Sequence, residues 1–362
     1  MTDLVVNGRF LTRPLRGVNR VGSELISALI RLKASGDPAA PARLRVLTPP
    51  KILEESLPDD IAPLIERVGA KGGIRWEQAT LPRAVGDAVL FNPCNTGPLL
   101  RRRQVTLIHD AQVWTAPQSY GRAFRAWYKL ALPVLARRSG AVATVSANSR
   151  RELEGLGVFP KDRAAVLPNG ADHILRVTPD DTTLERHELT GGGYVLSIGS
   201  LAPHKNIATA IRAAEAAGLT LAIAGGAPSH VFRDAGLPAS DRVRYLGRVS
   251  DEELRALYES AGCLLFPSLR EGFGLPPLEA MHCGCPVVAS DIETLREVCG
   301  AGALMADPMD VAGFAAHLSA LAKDPDLRAR QVAAGRAQAA LYTWDETARA
   351  LMGLASGLEP GV

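Results

Sequence analysis

The chain lacks the features that define several common protein classes. No stretch approaches the roughly 18 uninterrupted apolar residues of a membrane span, so none reads as a spanning helix. There is no large charge of either sign: 41 Lys+Arg against 38 Asp+Glu leave a net +3, well short of the clustered basicity of a nucleic-acid binder. Cysteine is scarce and odd in number, five residues at 94, 263, 283, 285 and 299, mostly in apolar or Ala/Gly-rich surroundings, which argues against a disulfide framework. Cys283-Gly-Cys285 is spaced more tightly than the paired ligands of a zinc site, so both read as small buried thiols. A reducing cytoplasm fits this usage. The opening "MTDLVVNGRF" has only a short apolar run, broken by Asn7 and Arg9, and does not read as a signal-peptide core. Fixed-period repeats and low-complexity segments are missing. No Gly-x-Gly-x-x-Gly follows the first strand, which counts against a dinucleotide oxidoreductase.

What is present is alternation. Short β-rich runs, "LVV" (4–6), "RLRVLT" (43–48), "AVLFN" (88–92), "QVTLIH" (104–109), "AVATV" (141–145) and "RAAVLP" (163–168), are separated by helix-period segments such as "NRVGSELISALIRL" (19–32). A polar interval at 172–193 interrupts the pattern and reads as a domain boundary. Alternation then resumes with "YVLSIG" (194–199), "LTLAIAG" (219–225), "RVRYLG" (242–247), "CLLFPS" (263–268), "PVVAS" (286–290) and "GALMA" (302–306), and ends in Ala-rich helices. At 362 residues two domains are expected. The fold class is therefore α/β: two doubly wound, Rossmann-like halves with parallel sheets, facing across a cleft.

The richest chemistry lies in "SLREGFGLPPLEAMHCGCPVVAS" (268–290). Pro276 and Pro277 suit the first turn of a helix, where a missing N–H costs nothing, so the helix is expected to begin near Pro276. Gly272 and Gly274 then fall in a strand-to-helix turn at the carboxyl edge of a parallel sheet, where doubly wound folds bind ligands. Bare backbone N–H groups and the helix N-terminus suit an anion such as a diphosphate. Two carboxylates beside an anion make sense if Glu271 and Glu279 bind hydroxyls, those of a sugar and of a ribose on either side of the diphosphate. The plainer alternative is that Glu271 caps the helix and Glu279 complements its dipole.

"EGFGLPPLEAM" resembles the Glu-x7-Glu signature of the retaining family 4 glycosyltransferases of the GT-B fold, and "CGCPVVAS" resembles its usual continuation. The resemblance runs from Val6 to about Trp344 and is closest to bacterial polysaccharide mannosyltransferases. It implies a domain arrangement of 1–172 (acceptor side), 173–343 (nucleotide-sugar side) and a terminal helix 344–362 crossing back to the first domain. It also implies that Glu271, Gly272, Phe273, Gly274 and Leu275 meet donor sugar and phosphate and that Glu279 meets the ribose. In "SIGSLAPHKNIATAI" (197–211) Lys205 matches the lysine that neutralises the leaving diphosphate, while Ser200 and Leu201 stand where many relatives carry an arginine. Arg270 or another base compensates, or a small hydroxylated residue suffices there. The backbone at Arg248 and Val249 would line the base site, and Ser250 with Glu253 forms a capping box.

On the acceptor side, Gly17 matches the glycine of the family's N-terminal loop, and Arg13, Arg16 and Arg20 are candidates to meet a phosphorylated acceptor. "FNPCNTGPL" (91–99) contributes Asn95; in "LIHDAQVWTAP" (107–117) His109 matches the histidine that approaches the donor sugar, with Asp110 beside it. A lone histidine at a strand end can equally be structural. "KDPDLR" (323–328) has the letters of a metal-binding Asp-x-Asp but sits between helices, where Asp326 reads as an N-cap.

The expected activity is transfer of a hexose from a nucleotide sugar to a saccharide or polyprenyl-linked saccharide, catalysed by His109, Lys205 and Glu271 without metal or bound cofactor. The resemblance gives GDP-mannose as donor, with UDP-sugars as the alternative, and retention of configuration; a sugar-nucleotide epimerase or a catalytically silent sensor would share the architecture. "SYGRAFRAWYKLALPVLARRS" (119–139), basic, aromatic and helical in period with Pro133 inside it, could rest on anionic lipid at the inner face of the plasma membrane, as could the nearby "RRR" (101–103).

Overall fold

The computed structural model describes residues 2–14, 17–54, 57–115, 117, 121–225 and 240–358. The chain divides into two compact units, Met1–Gly170 with Trp344–Val362, and Ala171–Thr343.

In the first unit, β1 (Leu4–Asn7), β2 (Leu44–Thr48), β3 (Ile65–Arg67), β4 (Val89–Asn92), β5 (Gln104–Leu107), β6 (Ala141–Thr144) and β7 (Ala164–Val166) form one parallel sheet in the order β3-β2-β1-β4-β5-β6-β7. Helices α1 (Val18–Ala34), α2 (Arg122–Arg138) and α3 (Ala147–Gly155) belong to the same unit. Strands β1, β4 and β5 are buried along their whole length, as expected of strands covered on both faces. The strand order reverses between β1 and β4, and ligands of such sheets gather at the carboxyl ends of the strands there. The sequence does not announce β3: its "IER" has one apolar residue and pairs only with β2 at the sheet edge. Helix α2 continues through Pro133.

In the second unit, β8 (Tyr194–Ile198), β9 (Thr220–Ala224), β10 (Val243–Gly247), β11 (Cys263–Phe266), β12 (Val287–Ser290) and β13 (Ala303–Ala306) repeat the pattern in the order β10-β9-β8-β11-β12-β13. All six lie where the apolar runs place them. With them go α4 (Ile207–Ala217), α5 (Asp251–Ser260), α6 (Leu275–His282), α7 (Glu293–Cys299), α8 (Val311–Lys323) and α9 (Pro325–Ala339). Val195, Ile211, Leu221, Ile223, Leu265, Val288, Phe314 and Leu318 make one continuous core beneath α4 and α8. Ser250 and Glu253 form the expected capping box on α5. The cap of α9 is Asp324, whose side chain accepts from Leu327 N, and not Asp326; Pro325 takes the first helical position and pushes the cap back by two residues.

The interval 172–193 is packed chain within the second unit. It carries a 3-10 turn at Asp172–Arg176 and a short helix at Thr183–Arg186, with His173, Ile174 and Thr183 buried. The division between the units falls at Gly170/Ala171, two residues before the expected 172. Helix α10 (Trp344–Ser356) returns to the first unit. There Trp344 is fully buried, Asp345 pairs with Arg31 at 2.6 Å and the Thr347 hydroxyl donates to the Pro168 carbonyl at 2.6 Å. The two Rossmann-like units and the returning helix give the chain the GT-B architecture.

Candidate active site

The carboxyl ends of β8 and β11 lie side by side in the second sheet, so the loops that follow them share one edge. After β8 the chain passes through Gly199 and Ser200 into a 3-10 turn, Pro203–Lys205, and on to Asn206, whose left-handed backbone (φ 54°) opens α4. Asn206 is held by Nδ2 donating to the carbonyls of Pro267 (3.0 Å) and Pro308 (2.8 Å). The Leu269 N–H donates to the His204 carbonyl at 2.8 Å, tying the loop after β11 to this turn. These contacts fix Lys205 with Nζ 2.6 Å from Glu271 Oε1 and 5.3 Å from the centre of the Phe266 ring. Both side chains of the pair are largely buried, 20% and 11% exposed. Glu271 is also anchored through its carbonyl, which accepts from the Thr294 hydroxyl at 2.9 Å. Glu271 therefore does not cap α6.

Helix α6 begins at Leu275 with the prolines in its first turn, and its N-cap is Gly274 at φ 99° with no capping side chain. A Cβ on Gly274 would lie 2.8 Å from Leu295 Cδ2, so both the backbone angle and the space require glycine. Pro276 and Pro277 have no N–H, so the donors at the start of α6 are the backbone N–H groups of Gly274 and Leu275, one loop away from Lys205, a favourable place for an anion. Phe273 is buried edge-on against Tyr342, with ring centres 5.8 Å apart, and holds the turn from beneath.

Glu279 lies one helical turn further on, 6% exposed. Tyr258 Oη donates to its Oε2 at 2.9 Å, and His173 Nε2 lies 3.2 Å from its Oε1. Its carboxylate is therefore oriented from α5 and from the 3-10 turn at 172–176. Neither partner carries a recognisable motif, and the sequence gives no signal of either. Ser200 is exposed, with Oγ accepting from Ala202 N at 3.4 Å. Gly272 is half-buried in the loop before α6. Arg248 and Val249 follow β10 at the same sheet edge, Arg248 exposed and Val249 half-buried. Arg270 is exposed in the loop that carries Glu271. Burial, then the charges of Lys205 and Arg270, lower the His204 pKa from its usual value, partly offset by Glu271.

The remaining candidates belong to the first unit. His109 lies two residues past the end of β5 and is 4% exposed. Its Nε2 sits 2.6 Å from the Pro93 carbonyl and its N–H donates to Asn95 Oδ1 at 2.8 Å. Burial pushes its pKa down to about 4 against the pull of that carbonyl, leaving a neutral imidazole that donates from Nε2. Asn95 adopts a left-handed backbone (φ 64°) to present its side chain. Asp110 Oδ1 accepts from Gln112 N at 2.9 Å, closing the turn after β5. Gly17 is the N-cap of α1 at φ 51°; Arg20 lies in the first turn of that helix and Arg13 is exposed just before it. Arg16 lies outside the described residues.

The carboxyl edge of the first sheet also holds a cavity of about 470 Å³, lined by Arg9, Arg13, Glu77, Asn95, Trp127 and Tyr128 among others. Of these, only Arg13 and Asn95 were sequence candidates. Glu77 is the signal that composition hides: a carboxylate 1% exposed, on a five-residue π-helical turn (Trp76–Thr80). The basic segment of α2 divides its duties, because Phe124, Trp127 and Tyr128 line this cavity. Arg101 is spent on backbone carbonyls of Gly86, Ala88 and Arg103. Among the described residues no helix is long and apolar enough to cross a membrane. The five cysteines are free thiols, and burial pushes Cys283 and Cys299 up to about 12.

Residues 181–338 match the family model described as glycosyl transferases group 1. The chain is 33% identical over 281 residues to O-antigen chain mannosyltransferase B of Escherichia coli, covering 74% of each protein. It is 29% identical over 242 residues to O-antigen chain mannosyltransferase RfbU of Salmonella typhimurium strain LT2, covering 65% of each. Among solved structures it is similar to HepE of Anabaena in complex with UDP and glucose, with a TM-score of 0.74 at 18% identity over 99% of this chain and 100% of that one.

Proposed function

Since the chain belongs to the group 1 glycosyltransferases, we propose that it transfers mannose from GDP-mannose to a saccharide or polyprenyl-linked saccharide, with retention of configuration, in cell-surface polysaccharide synthesis. The observation that carries this reading is the Lys205–Glu271 pair, 2.6 Å apart, beside the uncapped N-terminus of α6. The names of the O-antigen mannosyltransferase relatives support mannose as the sugar.

In this mechanism the bond between the sugar C1 and the β-phosphate oxygen breaks, and the electron pair leaves with the diphosphate. Lys205 and the N–H groups at the start of α6 meet that charge, and fixed donors of this kind are the main source of rate in such transfers. An acceptor hydroxyl attacks C1 from the same face and its proton passes to the departing phosphate oxygen, yielding a glycoside and GDP. Glu271, released from Lys205 as the diphosphate binds, turns to the sugar hydroxyls, and Glu279 holds the ribose. Lysine and helix supply the positive charge that a divalent metal supplies in other transferases, so the reaction is proposed to run without metal or cofactor. The site of action is the cytoplasm. The exposed side of α2, with Arg122, Lys129 and Leu130, would touch anionic lipid at the inner membrane face.

A panel of nucleotide sugars, with GDP or UDP release measured in the presence and absence of EDTA, tests the reading. GDP-mannose is expected to be turned over best, and equally with the chelator. Preference for a UDP-sugar would replace the donor; release from no nucleotide sugar, with or without mannoside acceptors, would sink the assignment.

A further inference from the structure

The cavity at the carboxyl edge of the first sheet has a floor and a wall of different chemistry. The floor is an ion pair: Arg9 Nη1 donates to Glu77 Oε2 at 2.6 Å, the arginine side chain 26% exposed and the glutamate 1%. Glu77 Oε1 accepts from Asn7 Nδ2 at 3.1 Å and from the Thr96 hydroxyl at 3.0 Å. Asn7 Nδ2 also donates to Asn92 Oδ1 (3.0 Å), and Asn92 Nδ2 donates to Gln104 Oε1 (3.0 Å) and to the Thr106 hydroxyl (3.1 Å). Asn7, Asn92, Gln104 and Thr106 are all buried. A buried network with its members paired is rigid, and here it holds one guanidinium at the base of the cavity. The wall is aromatic. Phe124 and Tyr128 stack with ring centres 4.1 Å apart, and Trp127 lines the same cavity, its buried Nε1 without a hydrogen-bond partner among the described residues.

The geometry points to a binding site for an uncharged hexopyranose ring, the terminal sugar of the acceptor, in which Arg9 reads ring hydroxyls and the aromatic wall takes the C–H face of the ring. The step from sugar ring to acceptor rests on the transferase reading above. Three features favour a neutral sugar over a phosphorylated one. Arg9 is already compensated at 2.6 Å by a carboxylate sealed from water, so a phosphate at the floor would meet Glu77 behind it. The volume, about 470 Å³, suits a sugar ring with its neighbours. Aromatic faces are built for apolar ring faces and gain little from a phosphate. Arg13, exposed, also lines the cavity. A neutral sugar is thereby placed where the arginine-rich N-terminal loop suggests a phosphorylated acceptor, and binding of neutral against phosphorylated sugars decides between the two readings.

The test is ligand-observed saturation-transfer NMR on the full chain without donor, using methyl α-mannopyranoside, methyl α-glucopyranoside and mannose 6-phosphate. At least one neutral glycoside is expected to bind about tenfold more tightly than mannose 6-phosphate, the scale of one lost hydrogen bond to a charged group. Trp127→Ala and Arg9→Gln are each expected to weaken the neutral glycoside by about tenfold. Glu77→Gln, which uncovers the Arg9 charge, is expected to reverse the preference. Melting temperatures accompany each variant, and Arg9→Gln keeps the question open to refutation if Glu77→Gln does not fold. Equal or tighter binding of mannose 6-phosphate by the native chain, neutral binding unchanged by both Trp127→Ala and Arg9→Gln, or no glycoside binding at tens of millimolar would overturn the site. GDP release from GDP-mannose without acceptor reports on the donor reading alone, so the two can fail separately.

Discussion

Lys205 Nζ and Glu271 Oε1 lie 2.6 Å apart, the lysine after β8 and the glutamate after β11. An ion pair this buried is costly to break by removing one partner, because the other is left uncompensated. Under the proposed function, a diphosphate arriving at α6 would offer Lys205 a stronger partner and free Glu271. Lys205→Ala is therefore expected to lower kcat by roughly 10²–10³, the usual cost of deleting one charge-stabilising donor. Glu271→Gln is expected to lower kcat by a similar order while leaving GDP affinity, read by calorimetry, within about threefold. GDP binding abolished by Glu271→Gln would show that the glutamate serves the nucleotide instead.

Under the proposed function Glu279 holds the ribose as well as its buried neighbours. Tyr258 and His173 engage its oxygens at 2.9 and 3.2 Å, so truncation removes the acceptor of a buried hydroxyl and a neighbour of a buried imidazole. Glu279→Ala is expected to cost about 2 kcal/mol of stability in urea unfolding and to weaken GDP more than free phosphate or pyrophosphate. Glu279→Gln, which keeps an acceptor for Tyr258, is expected to recover most of the stability and only part of the affinity. A variant that loses stability but binds GDP normally would restrict Glu279 to packing.

Gly274 is the residue on which the anion site depends for its shape. Alanine there would adopt φ near +99° and push its Cβ to 2.8 Å from Leu295 Cδ2. Strain of this kind costs of order 1–3 kcal/mol, and the loop relieves it by turning the first N–H groups of α6. Gly274→Ala is expected to weaken GDP at least about tenfold with a modest fall in melting temperature. Leu295→Ala in the same chain removes the clash and is expected to restore only part of the affinity, since the backbone angle remains unfavourable.

How far the sequence reaches depends on the kind of signal each element leaves. Among the described residues twelve of thirteen strands announce themselves as β-rich runs, most clearly the central ones, where both faces of a parallel sheet are covered; β3, half-exposed at an edge, leaves no such run. Gly274 and Glu271 are legible because turn chemistry and spacing are local, whereas Lys205 stands out only through the resemblance of "SIGSLAPHKNIATAI" to the family segment. Glu77, Arg9, His173 and Tyr258 are not, because each acquires its meaning from a residue far away in the chain: Glu77 from Asn7 and Arg9, His173 and Tyr258 from Glu279. The aromatic residues of α2 carry a second meaning that their pattern does not show: Phe124, Trp127 and Tyr128 line a cavity, while Arg122, Lys129 and Leu130 stay exposed.

His109 supplies a prediction in which the sign can be worked out in full. Burial lowers its pKa from 6.5 to about 4 in the folded chain. Between those values the unfolded chain carries a proton that the folded chain refuses, so stability is complete above pH 6.5 and is lost as pH falls toward 4. The full loss is roughly 3 kcal/mol, from about 1.4 kcal/mol for each unit of the shift. His109→Gln, whose amide nitrogen falls where the ring Nε2 stands, keeps a donor for the Pro93 carbonyl, now at 2.6 Å from the ring, and carries no titrating proton. Its unfolding free energy is expected to fall less steeply than that of the native chain between pH 6.5 and 4.5, and parallel curves would show that His109 does not titrate in this range. Activity should follow the same chemistry. A neutral imidazole at pH 7 orients and donates without acting as an acid, so kcat is expected to show no inflection from His109 between pH 6 and 8, whereas an acid limb near 6.5 that disappears in His109→Gln would assign it the proton-transfer role that its burial argues against.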